Sequence, residues 1–256
     1  QKKAKELGKR INKWCWNEED GIYYDVNPKG KQQKVKTIAA FWPMLAGITS
    51  TKQNKRLIQH LKNPNEFWRK NIFPSLSADE ESYSSLGHYW KGATWAPTNY
   101  MVIKGLEKTG NEKFATECTE KYLNGLYQVY KKTGTLWECY APDSFNPATI
   151  ENNKGQARKD FVGWTGVGPI ALLIENILGI RVDGKASKIE WIINRKSRHG
   201  IKNIHCGKTI VSLLYEMKEG KSIITVVSNG NLKLKILKDQ KSKEYSFSEG
   251  KTIIEL

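Results

Sequence analysis

Two periodicities divide the chain. As far as Leu178, apolar residues recur at helical spacing in blocks separated by turn residues; beyond Gly179 they alternate with polar ones. Ala4, Leu7, Ile11 and Trp14 predict a helix over residues 3–16. Asp20-Gly21 makes a turn, and residues 22–26 read as a short strand or loop ended by Asn27-Pro28-Lys29-Gly30. Residues 37–48 predict an apolar helix interrupted by Pro43, and Thr49-Ser50-Thr51 offers caps for the next helix, through Leu61. Residues 63–88 are irregular, and a long loop inside a compact domain is usually functional. A helix over 94–108 carries Pro97 in its first turn, where a missing N–H costs nothing. Residues 111–131 predict an amphipathic helix with Phe114, Cys118, Tyr122, Gly125 and Val129 along one stripe. A polar loop over 141–159 leads to a strongly apolar helix, 164–178, closed by Gly179.

After Gly179, segments 189–193, 210–216, 222–228, 232–237 and 252–256 read as strands, with turns at Asp183-Gly184, Glu219-Gly220, Asn229-Gly230 and Glu249-Gly250. Glu219-Gly220 and Asn229-Gly230 are hairpin signals. Helices followed by strands imply two segregated units. The expected division is a helical domain over 1–180 and a small antiparallel β-sandwich over 181–256.

Composition changes this picture little. The aromatic share of 11% within 39% hydrophobic residues suffices for a core. No apolar run is long enough to span a membrane, so no membrane partner is expected. The start, Gln1-Lys2-Lys3-Ala4-Lys5, has neither a signal-peptide hydrophobic segment nor an initiator Met, and the chain is expected to be processed, trimmed or part of something longer. The net charge of +16 admits a polyanion-binding scaffold, but the lysines are spread out and accompany no nucleic-acid-binding motif. They read as solvating charges; no specific nucleic-acid partner is expected, only salt-sensitive adsorption to polyanions. The four cysteines, Cys15, Cys118, Cys139 and Cys206, form no Cys-x-x-Cys pair, which argues against zinc, and read as free, mostly buried thiols. No histidine stands in a motif that would activate Cys139 as a nucleophile.

Three blocks carry chemistry. The first runs from His88 to Tyr100 and includes Tyr89-Trp90-Lys91-Gly92-Ala93-Thr94-Trp95; the second is Leu136-Trp137-Glu138-Cys139-Tyr140-Ala141-Pro142-Asp143; the third is Asp160-Phe161-Val162-Gly163-Trp164-Thr165-Gly166. Aromatic rings can stack on the C–H faces of a pyranose, while a carboxylate acts on the glycosidic oxygen or on water. In this order the blocks resemble the C-terminal half of the (α/α)6-barrel inverting glycosidases: glycoside hydrolase family 63, the trehalases of family 37 and the mannosylglycerate-hydrolase-like enzymes. The first is similar to the Tyr-Trp-Arg-Gly-x-x-Trp of family 63, and its Trp95-Ala96-Pro97 to the trehalase version. The second resembles a Glu-x-Tyr segment carrying the general base. The third resembles a Phe-Gly-Trp-Thr segment with one residue inserted. Weaker matches are Gly21-Ile22-Tyr23-Tyr24-Asp25 and Phe41-Trp42-Pro43-Met44-Leu45-Ala46-Gly47, so the resemblance covers residues 5–180.

The resemblance implies a mainly α helical toroid, an (α/α)6-barrel portion, ahead of the β-sandwich. About six helices are visible where the barrel needs twice that number, so the missing N-terminal half is expected from an upstream segment or another chain. The implied activity is inverting hydrolysis of an oligosaccharide or glycoside, an α-linked glucoside or mannoside, with no metal and no organic cofactor. The alternative is a non-catalytic carbohydrate-binding remnant of the same fold. Glu138 takes the general-base position, activating a water that needs the two carboxyls about 6.5–9.5 Å apart. Trp90, Trp95, Tyr89 and Trp42 are candidate sugar platforms. Lys91 stands where family 63 has Arg, and offers a point charge instead of a fork. Asn99, one turn after Trp95, is a candidate donor to a sugar hydroxyl; Tyr140, Phe161 and Trp164 complete the candidate lining, with Asp143 and Asp160 supporting or capping. The family's general acid, an Asp in a Ser-Gly-x-Asp segment, maps onto no residue here; Asp25, Asp79, Glu80 and Glu81 read better as loop or cap carboxylates. Nothing in the sequence assigns a compartment.

Overall fold

The computed structural model describes residues 1–150, 154–239 and 241–256. The chain forms two compact units, Gln1–Leu172 and Leu173–Leu256. The expected division at residue 180 coincides with the first strand of the sheets, whereas the compact units part within the apolar segment before it.

The first unit opens with helix α1 (Lys2–Trp14) and two short hairpins, β1 (Trp16–Asn17) with β2 (Ile22–Tyr23) and β3 (Asp25–Val26) with β4 (Gln32–Gln33). The expected apolar stripe of α1 is not a buried one. Leu7 and Trp14 are exposed, Ile11 packs partly on the core, and the close contact is made by Gly8 against Ile48. The helix expected over 37–48 is instead a 3-10 turn, Ile38–Phe41, running into α2 (Trp42–Ala46). Pro43 lies in the first turn of α2, where it needs no N–H partner, and Gly47 ends it at φ 70°. Helix α3 (Thr51–Lys62) starts from a capping box: Gln53 N donates to Ser50 Oγ and Ser50 N donates to Gln53 Oε1.

Helix α4 (Ala96–Lys108) has Trp95 at its N-cap and Pro97 in its first turn. Helix α5 (Glu112–Thr133) buries the whole expected stripe, with Ala115, Thr119 and Leu126 beside it. Gly125 is required here, because a Cβ would lie 2.2 Å from Asn71 Oδ1. The core gathers Ile22, Phe41, Met44, Leu57, Phe73, Val102, Leu106 and Tyr122, each contributing about 1.5–3 kcal/mol by burial. The helix expected over 164–178 is a 3-10 turn, Trp164–Gly166, followed by wide π turns, Gly168–Ile177. Gly168 lies where a Cβ would meet the Tyr122 ring at 2.6 Å.

The irregular stretch after α3 is tied down at several points. Thr37 bridges to Leu76, Pro74 to Thr94, and Thr94 to Tyr140. Arg69 Nε donates to Asp143 Oδ1 at 2.6 Å and Tyr83 OH to Asp143 Oδ2 at 2.9 Å. This fastening brings two loops distant in sequence together beside the start of α4.

The second unit has two four-stranded sheets. One has the order β11-β10-β6-β5, the other β12-β9-β8-β7. The strands are β5 (Ile180–Asp183), β6 (Lys188–Ile192), β7 (His199–Cys206), β8 (Thr209–Lys218), β9 (Lys221–Ser228), β10 (Leu232–Lys238), β11 (Lys241–Phe247) and β12 (Gly250–Glu255). Their inner faces share a core of Ile189, Trp191, Leu213, Tyr215, Ile224, Val226, Leu234 and Ile236, as in a sandwich. Three points correct the expectation. The sheets are not wholly antiparallel, because β6 pairs with β10 in parallel once the chain has passed through the other sheet. Asn229-Gly230 closes no hairpin; it carries the chain from β9 to β10 in the opposite sheet, with Asn229 Oδ1 accepting from Ile210 N. Strands β5, β7 and β11 lie outside the expected set, and all three are sheet edges, where one flank needs no apolar cover. Glu219-Gly220, with φ of 50° and 79°, does close the β8–β9 hairpin.

Candidate active site

The first block folds tightly between Gly87 and Gly92. Gly87 has φ 97° and would place a Cβ 2.8 Å from Ala148; Gly92 has φ 136° and would place one 2.8 Å from Ser84 O. Between them, His88 and Tyr89 adopt positive φ, 33° and 59°, which side-chain-bearing residues rarely do. Tyr89 is held there by its backbone: its N–H donates to Thr149 O at 2.9 Å, and its carbonyl accepts from Ala93 N and from Trp95 Nε1.

This turn assembles a ring cluster. Trp90 lies flat on Trp95, with centroids 4.4 Å apart and planes 9° apart. Tyr89 meets Trp95 edge-on at 4.7 Å, Trp164 approaches Trp95 at 6.1 Å, and Phe161 packs on Trp164 at 4.8 Å. Tyr89 OH donates to Glu138 Oε1 at 2.9 Å. Glu138 N donates to Arg158 O, and its carbonyl accepts from Trp164 Nε1 at 3.3 Å and from Thr165 Oγ1 at 3.4 Å. Thr165 Oγ1 also donates to Trp137 O at 2.8 Å. The three blocks therefore meet at one residue, Glu138, the first block at its carboxylate and the third at its main-chain carbonyl. Partial burial, then the carboxylate of Glu138, raise the Tyr89 hydroxyl above its ordinary pKa, so it stays a donor. Burial, then the charge of Glu138, push the Cys139 thiol far up, which removes it as a thiolate nucleophile.

Exposure sorts the remaining candidates. Trp90 is 55% exposed and Trp164 41%, whereas Trp95 is 2% exposed and serves as the layer beneath Trp90. Asn99 is a correction: it is fully buried, its Nδ2 donates to Phe73 O and Trp95 O, and its Oδ1 accepts from Phe73 N, so its amide is committed to the fold. Tyr140 is another. It is buried, its OH accepts from Trp137 N at 3.1 Å, and burial raises its pKa to about 12. Trp42, 38% exposed at the first turn of α2, makes no ring contact with the cluster among the described residues. The Lys91 side chain is exposed, and its backbone bonds to His88 O and Ser84 N.

The other carboxylates are occupied elsewhere or lie at the surface. Asp143 is held by Arg69 and Tyr83, and Asp160, at φ 54°, accepts from Thr135 Oγ1. Asp79 pairs with Lys36, Glu80 accepts from Lys36 N, and Asp25 and Glu81 are exposed. No group of three potential metal ligands occurs among the described residues, and no helix among them is long and apolar enough to cross a membrane. Residues 151–153 of the expected 141–159 loop lie outside the described residues. Two supports of Glu138 lay outside the sequence candidates. Thr165 carried a signal, a hydroxyl directly after Trp164; Arg158 contributes a backbone oxygen, which residue type does not reveal.

Known proteins bear on this arrangement. The chain is 32% identical over 219 residues to an uncharacterized protein of Borreliella burgdorferi, covering 84% of this chain and 46% of that protein. It is 25% identical over 168 residues to a probable mannosyl-oligosaccharide glucosidase of Schizosaccharomyces pombe, covering 59% of this chain and 20% of that one. It thus spans less than half the length of either. The structure of neutral trehalase from Saccharomyces cerevisiae matches 67% of this chain and 30% of its own with a TM-score of 0.53 and 19% identity, a likeness of fold. The model of the mannosylglycerate hydrolase MGH1-like glycoside hydrolase domain matches residues 1–155, more than half of the sequence, and the chain belongs to that family.

Proposed function

We propose that this chain carries the general-base side of an inverting glycoside hydrolase that cleaves α-linked glucosides or mannosides. Glu138 is the base, and the observation that carries the reading is its carboxylate, bonded to Tyr89 in a cluster whose outer rings, Trp90 and Trp164, are open to solvent. In this reading Trp90 and Trp164 stack on the sugar, and Glu138 takes a proton from the water that attacks the face opposite the leaving group. The first unit is part of an (α/α)6 barrel. The rest of the barrel, in the same protein or in another chain, supplies the proton donor, since Asp25, Asp79, Glu80, Glu81 and Asp143 are engaged away from the cluster or exposed. Support comes from the family and from the glucosidase name of the S. pombe relative.

The test is stereochemical. The full-length protein is offered α-glucosides and α-mannosides, and NMR identifies the first-formed anomer. The expected product is the β-anomer. Net retention would overturn the inverting reading, and no turnover of either class would overturn the substrate assignment.

A further inference from the structure

Tyr89 was expected to be a sugar platform, but its ring is not the part it presents. Edge contacts join it to Trp95 at 4.7 Å and to Trp90 at 6.2 Å, it packs on a small buried cluster of Ala93, Cys139, Ala148 and Ala157, and its hydroxyl points to Glu138 Oε1. Its backbone sits at φ 59°, held by two backbone–backbone hydrogen bonds and by the Trp95 indole N–H on its carbonyl. Strained backbone persists where the surroundings over-determine it, commonly at functional sites. The strain has a visible consequence here, since it turns the phenol into the cluster. Glu138 Oε2 accepts no hydrogen bond from the described residues, so the two oxygens of the carboxylate are inequivalent.

We propose that Tyr89 is the positioning residue for Glu138: its hydroxyl fixes Oε1 and leaves Oε2 as the oxygen that takes the proton from the attacking water. The proposal rests on Glu138 being the base. A donor bonded to one oxygen of a carboxylate occupies that oxygen and leaves the other open to a new partner. It also fixes the rotation of a terminal carboxylate, which is otherwise broad. Tyr89 itself transfers no proton and forms no covalent bond.

Tyr89→Phe keeps the ring and its edge contact with Trp95 and removes the hydroxyl alone. In the full-length protein kcat falls about 10- to 100-fold, the loss expected for one charge-assisted hydrogen bond, with KM within about twofold. A second readout does not depend on turnover. With tyrosines carrying 13C at Cζ, the Tyr89 signal is the one lost in Tyr89→Phe, and its titration moves back down in Glu138→Gln. An unmoved Tyr89 titration means the two groups do not interact and overturns the proposal. So does a raised KM with kcat unchanged, which would make the hydroxyl a direct sugar contact. Glu138→Gln separates the levels of failure. If it retains turnover, the base assignment fails and this proposal falls with it. If it abolishes turnover while Tyr89→Phe is indistinguishable from native, only the positioning role is wrong.

Discussion

Two indoles stacked 4.4 Å apart should respond oppositely to truncation. Trp95 is 2% exposed and lies under Trp90 at the head of α4, so Trp95→Ala opens a cavity and should cost about 3–5 kcal/mol. Trp90 has more than half its surface in water; Trp90→Ala should change stability by only about 1 kcal/mol while raising KM for the glycoside. Denaturant unfolding and steady-state kinetics on the two variants check this, and a Trp95→Ala protein of native stability with a raised KM would reverse the assignment. Residue type alone could not make this separation. The order of Tyr89, Glu138 and Trp164 in the sequence was enough to bring them to one place, but exposure is decided by tertiary contact. Asn99 and Tyr140 have side chains a sugar site would use, and both are instead committed to buried backbone groups of Phe73, Trp95 and Trp137.

At the scale of elements, polar fastening matters as much as the apolar stripes. Lys36 Nζ lies 3.0 Å from Glu66 Oε1 and also pairs with Asp79; His60 Nδ1, on α3, lies 2.5 Å from Glu66 Oε2, and its Nε2 faces Asp20 O at 3.0 Å. Burial works against the Glu66 carboxylate, but its bonds to His60 and Lys36 outweigh that and hold it below the ordinary value of 4.5. A carboxyl depressed in the folded state stabilises it above the unfolded value, and this contribution is lost as pH falls through the folded one. Stability should therefore drop below about pH 4.5, and Glu66→Gln should flatten that drop. At neutral pH the variant should cost about 3 kcal/mol, near the low end for breaking a buried pair because Lys36 keeps Asp79. Denaturant midpoints across pH 3–7 test it; parallel curves for native and variant would mean that Glu66 does not drive the acid loss. Apart from His60 and Glu66, six residues apart, each of these bonded pairs joins residues 30 or more apart, so the network was illegible in the sequence, whereas α3 and α5 were legible from cap and stripe. The edge strands escaped for a related reason. A polar run such as Lys-Ser-Lys-Glu-Tyr-Ser-Phe in β11 pairs through its backbone, and its side chains need no alternation.

For the whole molecule, the division into helices and strands was legible because the period of the apolar pattern changes once, near Gly179. The surface of the first unit was not. Val162, Val167 and Ile170 are exposed on one stretch of chain, and Leu7, Trp14 and Trp42 add further exposed apolar side chains. A monomeric protein rarely leaves large apolar patches in water. On the proposed reading these residues pack against the rest of the barrel, which also brings the proton donor. Residues 1–256 alone should then bind a hydrophobic dye, self-associate in sedimentation, and turn over neither α-glucosides nor α-mannosides. The net charge of +16 opposes association by repulsion, so self-association should strengthen as salt is raised from about 0.05 to 0.5 M, where screening is short-ranged. Replacing Val167 and Ile170 with Ser should weaken both dye binding and association, since neither side chain supports the Glu138 cluster. A chain that stays monomeric at high salt, ignores the dye and hydrolyses an α-glycoside would mean that the proton donor lies within these residues and that the exposed face has no partner.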